Sequence, residues 1–181
     1  TGKGAENGIL IKNAESLELA GHIDVVVFDK TGTLTKGKAE VTDVVAVSGH
    51  TEAEVLALAA SIEKGSEHSL AEAIVKEAET KHASLTQVTA FKAIPGHGVG
   101  GNVGGKNVAF GNRRLMEREH VDISTLEAKA VTLEEGGKTA MFLALDGKAA
   151  GIVAVADPLK ESAGDGIALL NKNGIATVML T

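Results

Sequence analysis

The chain has 181 residues, 44% hydrophobic and 23% charged, with a net charge of −6. That is enough apolar material for one domain or two small ones, and the acidic balance argues against a nucleic-acid or anionic-membrane surface. Four Phe with no Trp or Tyr give no base-stacking platform, and the absence of Cys excludes disulfides and thiolate metal sites and fits a reducing compartment.

No apolar run approaches the roughly 20 residues that a bilayer span needs. The start TGKGAENGIL has neither a signal-peptide core nor an initiating Met, so the chain reads as an excised piece of a longer one. Residues 13–21 predict a helix closed by Gly21. Val25-Val26-Val27-Phe28 predicts a buried strand that delivers Asp29 to its C-terminal end, where open α/β sheets bind ligands. Asp29 is followed by Lys30-Thr31-Gly32-Thr33-Leu34-Thr35, small and hydroxyl residues whose N–H groups and oxygens suit a phosphate. A carboxylate beside a phosphoryl group can act as a nucleophile.

After Lys36-Gly37-Lys38 the character changes, and residues 41–47 alternate weakly, like an antiparallel edge strand. Thr51 and Glu54 form a capping box that opens a helix to about Lys64, and Ser69 with Glu72 predicts a second helix to about Lys81 with Ser69 as its cap. Strands are expected at 88–94, 98–103 and 106–110, broken by Gly-rich turns, with helices at 112–119 and 124–135. Residues 139–145 and 148–156 make a hairpin, since Asp146-Gly147 suits a type I′ turn. Pro158 is expected to open a helix to about Lys172, with Gly174 beyond its end and a second buried strand at 175–180. Strand–helix units thus stand at both ends of the chain and an α+β insert fills the middle, with boundaries near Lys36 and Asp157.

Three short features of the insert draw attention together. Ser66-Glu67-His68-Ser69-Leu70 precedes a helix, the glycines of Gly96-His97-Gly98-Val99-Gly100 let backbone approach a ligand closely, and Gly111-Asn112 sits at a strand-to-helix junction. Taken singly they read as a solvated cap residue, a turn and an N-cap. The glycine run does not open a Rossmann helix with an acid about 20 residues on, which disfavours dinucleotide binding. Gly164-Asp165-Gly166 falls inside a helix, so Asp165 reads as a surface residue, and no His pair has metal-ligand spacing beside a carboxylate.

The ordered heptad DKTGTLT at 29–35 resembles the phosphorylation signature of P-type ATPases. A polar turn capped by Asp29 would account for an Asp and a Gly but not for the whole heptad. Ser66–Leu70, PGHGVGG from Pro95, and Gly111-Asn112 together resemble the nucleotide-binding domain of the heavy-metal-transporting, type IB branch. The resemblance implies an incomplete HAD-like (Rossmann-like) parallel-sheet phosphorylation domain at 1–36 and 157–181. It implies an inserted α+β nucleotide-binding domain at 37–156, built on an antiparallel sheet flanked by helices.

The same resemblance implies that Asp29 is phosphorylated by ATP, with Lys30 and Thr33 beside the phosphate and Mg2+ held by Asp29 and by the carbonyl of Thr31. It implies that Glu67 and His68 contact the adenine, that Gly96 and Gly98, with Gly111, line the nucleotide, and that Asn112 adds a hydrogen bond. Asp157 would fix a hinge, Lys160 would lie near the domain interface, and Thr181 would contact phosphate. Ser69 stands where the branch has Pro, so His68 is expected to be held less tightly. HAD phosphatases commonly carry a general acid/base two residues after the nucleophile; Thr31 occupies that position here, which favours a long-lived acyl-phosphate.

The expected partners are ATP or ADP and the transmembrane and actuator domains of the same pump, at the cytoplasmic face of a membrane, with the piece itself monomeric and not membrane-inserted. Copper is the favoured cargo, with zinc or cadmium open. The alternatives are a soluble HAD-superfamily phosphatase or phosphotransferase whose insert is a cap, and a structural module that binds no nucleotide.

Overall fold

The computed structural model describes residues 2–66 and 69–180. The chain divides into two compact units, one formed by Thr1–Gly37 with Leu159–Thr181 and the other by Lys38–Pro158. The first opens with a short helix α1 (Gly2–Ala5) and with α2 (Ala14–Ala20). The latter starts where Asn13 Oδ1 accepts the Ser16 N–H at 2.8 Å, a side-chain cap on an otherwise orphaned donor. Strand β1 (Val25–Asp29) follows and ends on the acid, after which the chain makes one wide turn over Lys30–Leu34.

The second unit contains β2 (Glu40–Ala46), α3 (Glu52–Glu63), α4 (Ser69–Thr80), β3 (Val88–Ile94), β4 (Gly98–Val103) and β5 (Lys106–Gly111), then α5 (Arg113–Arg118), α6 (Ser124–Glu135), β6 (Thr139–Leu145) and β7 (Lys148–Ala156). Its strands form one antiparallel six-stranded sheet in the order β2-β7-β6-β5-β4-β3. β6 is an almost unbroken apolar run because both of its faces are covered. On one face Phe110, Leu143 and Val153 pack with Val55, Leu56 and Ile74 of α3 and α4. On the other, Phe142 and Ile152 pack with Leu115 of α5 and with Leu126 and Leu133 of α6. Phe110 and Phe142 are both 0% exposed, each contributing about 1.5–3 kcal/mol by burial.

Thr51 caps α3 as expected, its Oγ1 accepting the Glu54 N–H at 3.1 Å. Ser69 is the first residue of α4 and not its cap. The β6–β7 turn places Asp146 at φ 48°, as a type I′ turn requires. Both outer strands are irregular: the register of β2 on β7 shifts between Val41 and Asp43. That of β3 on β4 shifts between Thr89 and Lys92, where Ala90 takes φ 53°.

The return segment holds α7 (Glu161–Lys172) and β8 (Ala176–Leu180), which pairs in parallel with β1 from Val25↔Ala176 to Asp29↔Leu180. Two expectations need correction here. The helix starts at Glu161 and not at Pro158, because Leu159 forms a β-bridge with Thr35 and the Lys160 N–H donates to Leu34 O at 2.8 Å. Neither β1 nor β8 is buried; Val25 and Val27 are 49% and 55% exposed. A sheet of two strands covers only alternate residues, here Val26 and Phe28 in part. Asp165 is exposed on α7, as read from the sequence. No described helix is long and apolar enough to cross a membrane.

Candidate functional site

Two places collect the sequence-predicted residues, one in each unit. In the first, β1 presents Asp29, which is exposed, at its C-terminal end. The turn that follows closes through Thr35 N–H to Lys30 O at 3.1 Å, a π-type i+5 bond. Gly32 lies at φ 75°, a left-handed conformation that glycine adopts without penalty. Its N–H donates to Thr35 Oγ1 at 3.0 Å, and Thr35 Oγ1 donates in turn to Lys30 O at 3.1 Å. Thr31 and Thr33 are exposed on the same turn. Lys160 Nζ donates to Gly32 O at 2.8 Å, which sets this residue directly on the loop. Asp157 belongs to the other unit, where its Oδ1 accepts the Lys38 N–H at 3.3 Å. Thr35, read from the sequence only as one of the hydroxyl residues suited to a phosphate, holds the turn together through its N–H and its hydroxyl.

The second place is a cavity of about 390 Å³ lined by Glu63, Ser66 and Leu70, by the turn 93–99, by Gly111 and Asn112, and by Thr139, Ala140 and Met141. Gly96, Gly98, Gly111 and Asn112 therefore meet at one wall. Gly98 and Gly111 face each other across β4 and β5 so closely that a Cβ on Gly98 would lie 2.2 Å from Phe110 O, and one on Gly111 2.2 Å from His97 O. Only glycine fits either place.

Asn112 knits the wall: its N–H donates to His97 O at 2.9 Å, Nδ2 donates to Gly96 O at 2.9 Å, and Oδ1 accepts the Leu115 N–H at 3.2 Å to cap α5. The next residue, Arg113, anchors α5 to α6, with Nε on Glu127 at 2.7 Å and both Nη atoms on Glu134 at 2.6 and 3.0 Å. It also lies over the Phe142 ring at 5.4 Å. Glu134 foremost, then Glu127, pushes the Arg113 guanidinium pKa further up. His97 Nδ1 donates to Pro95 O at 2.9 Å. Glu67, His68 and Thr181 lie outside the described residues. Met141 and Leu70 of the cavity had no distinguishing signal, since each sits in an ordinary apolar pattern.

A larger concavity of about 890 Å³ opens on the α5–α6 face of the sheet, against Lys92, Asn102, Asn107 and Arg118, and contains none of the predicted site residues. For magnesium, no group of three or more His, Cys, Asp or Glu is gathered among the described residues. Asp29 and the Thr31 carbonyl would supply two oxygens to such an ion, which usually completes its shell with water and substrate phosphate.

A parallel strand pair with an exposed acid at its C-terminal end, interrupted by an inserted domain, defines the class. The chain belongs to the haloacid dehalogenase-like hydrolase family, whose model matches residues 23–181. Within it, the chain resembles heavy-metal P-type ATPases from end to end. A copper-exporting P-type ATPase of Staphylococcus saprophyticus is 49% identical over 181 residues, 100% of this chain and 22% of that protein. A silver exporting P-type ATPase of Salmonella typhimurium is 42% identical over 180 residues, 99% of this chain and 22% of that protein.

Among solved structures, a zinc-transporting PIB-type ATPase in its E2.Pi state matches 98% of this chain and 29% of its own, with a TM-score of 0.89 at 34% identity. The N-domain of a copper-transporting P-type ATPase matches 65% of this chain and 98% of its own, with a TM-score of 0.55 at 26% identity. The chain thus spans about a fifth of the length of these curated relatives, 22% in each case. These relatives do not favour the soluble-phosphatase alternative.

Proposed function

We propose that the chain is the ATP-binding and phosphoacceptor region of a heavy-metal cation-transporting P-type ATPase that exports copper. Residues 1–36 and 157–181 belong to its phosphorylation domain and residues 37–156 form its nucleotide-binding domain, at the cytoplasmic face of the membrane. The observation that carries this is DKTGTLT at the C-terminal end of β1, in a chain 49% identical to a copper-exporting P-type ATPase. In the full pump a carboxylate oxygen of Asp29 bonds to the γ-phosphorus of ATP while the bond to the bridging oxygen breaks, and ADP leaves with that electron pair. Lys30 and Thr33 flank the phosphoryl group. Asp29 and the Thr31 carbonyl would hold a magnesium ion there, which would neutralise charge on the γ-phosphate.

The cavity beside Gly96, Gly98, Gly111 and Asn112 takes the nucleotide, its backbone walls and apolar floor of Leu70 and Met141 suiting a flat base. Glu67 and His68 contact the adenine, and the imidazole can stack on it. Asp157 and Thr181 serve as hinge and phosphate contact. The 181-residue chain is monomeric and binds ATP, but phosphorylates poorly on its own. Calorimetric titration with ATP tests this: binding is expected, and His68→Ala weakens it about tenfold with the melting temperature unchanged. An absence of ATP binding, or unaltered affinity in His68→Ala, would count against the assignment.

A further inference from the structure

The wide turn after β1 holds Gly32 by both ends of its peptide. The N–H is taken by Thr35 Oγ1 at 3.0 Å and the carbonyl by Lys160 Nζ at 2.8 Å. Thr35 is 1% exposed, and its hydroxyl reaches back to Lys30 O, the carbonyl that also takes its own N–H. Lys160 cannot drift, because its N–H is fixed on Leu34 O at 2.8 Å and its neighbour Leu159 is bridged to Thr35. Gly37 presses on the same spot, with a notional Cβ only 3.1 Å from Gly32 Cα. Three contacts therefore converge on the one residue of the turn with left-handed backbone, three positions from the exposed acid.

We propose that Thr35 and Lys160 are positioning residues for phosphoryl transfer to Asp29. They clamp the Gly32 peptide from inside and outside the turn, so that the Asp29 carboxylate and the adjoining backbone groups hold one arrangement. The inference rests on the reading of Asp29 as the phosphoacceptor. Glycine has the widest backbone freedom of any residue, so an unclamped Gly32 would let the turn sample several shapes. A misplacement of about 1 Å can cost on the order of 100-fold in rate. Lys160 acts here as a strut of the loop, a role distinct from that of a residue at a domain interface.

Two measurements decide it. In the full-length pump, Thr35→Val and Lys160→Met lower the rate of phosphoenzyme formation from saturating ATP by about 100-fold while leaving the KM for ATP nearly unchanged. Thr35→Ser and Lys160→Arg, which keep the hydroxyl and the cationic donor, restore most of the rate. In the 181-residue chain, the Gly32 amide of Thr35→Val exchanges with solvent about tenfold faster than in the wild type. Lys160 is exposed, so Lys160→Met remains informative even if Thr35→Val unfolds. Wild-type phosphorylation in Lys160→Met, or wild-type Gly32 exchange in a folded Thr35→Val, overturns the clamp. A wild-type pump that forms no Asp29-dependent phosphoenzyme overturns the phosphoacceptor reading and this role with it, while the exchange rate still reports on the turn.

Discussion

The two units divide their burial in opposite ways. Lys38–Pro158 closes a core on each face of its sheet, whereas among the described residues of the other unit only Leu34 and Thr35 are buried. Packing in Lys38–Pro158 builds a cavity wall, whereas in the other unit Leu34 and Thr35 are buried at a single turn. Binding and chemistry should therefore fail independently, and four substitutions can break or sharpen that contrast.

Asp29→Asn has the largest expected effect. It abolishes phosphoenzyme formation in the full-length pump, because an amide is no substitute for the nucleophilic carboxylate. ATP titrations into the 181-residue chain stay as in the wild type, and a parallel loss of ATP binding would dissolve the contrast. Gly98→Ala acts on the other side. A methyl group cannot be placed 2.2 Å from Phe110 O without parting β4 from β5, so a loss of about 3 kcal/mol in urea unfolding and of ATP binding is expected. Arg113→Met should cost about 1–2 kcal/mol, since it removes a forked ion pair whose guanidinium lies partly buried over Phe142, and should weaken ATP binding modestly by loosening Asn112.

The smallest effect concerns pH. The Lys138 ammonium, 2.6 Å from Asp43, holds that carboxyl below its usual 3.8. Because the folded value is the lower one, the stabilisation is complete above about 3.8 and is lost as the pH falls through the depressed value. Lys138→Met should flatten the acid limb of the unfolding midpoint against pH, and an unchanged limb would remove the pair from the account.

Much of this was legible in the sequence where local rules act alone. The strands from β3 to β7 fall within a residue of their expected bounds, because Gly-rich turns and an Asp-Gly pair punctuate them. Asp29 was legible through its heptad, and Gly98 and Gly111 through their lack of a side chain. What escaped depends on partners far along the chain. The start of α7 is set by Thr35 and Leu34, well over a hundred residues away, which claim Leu159 and Lys160 for the loop. Thr35 looked like the tail of a motif, because side-chain bonds that close a wide turn leave no periodic signal.

The breaks in the two outer strands have a consequence of their own. A β-sheet with straight edges is a template on which another molecule can add a strand, and then another. Here one edge is kinked between Val41 and Asp43 and the other between Thr89 and Lys92. A bulge bends its strand and increases the local twist, so an incoming strand could match donors to acceptors for only a few residues. The ladder therefore ends at both sides of the six-stranded sheet.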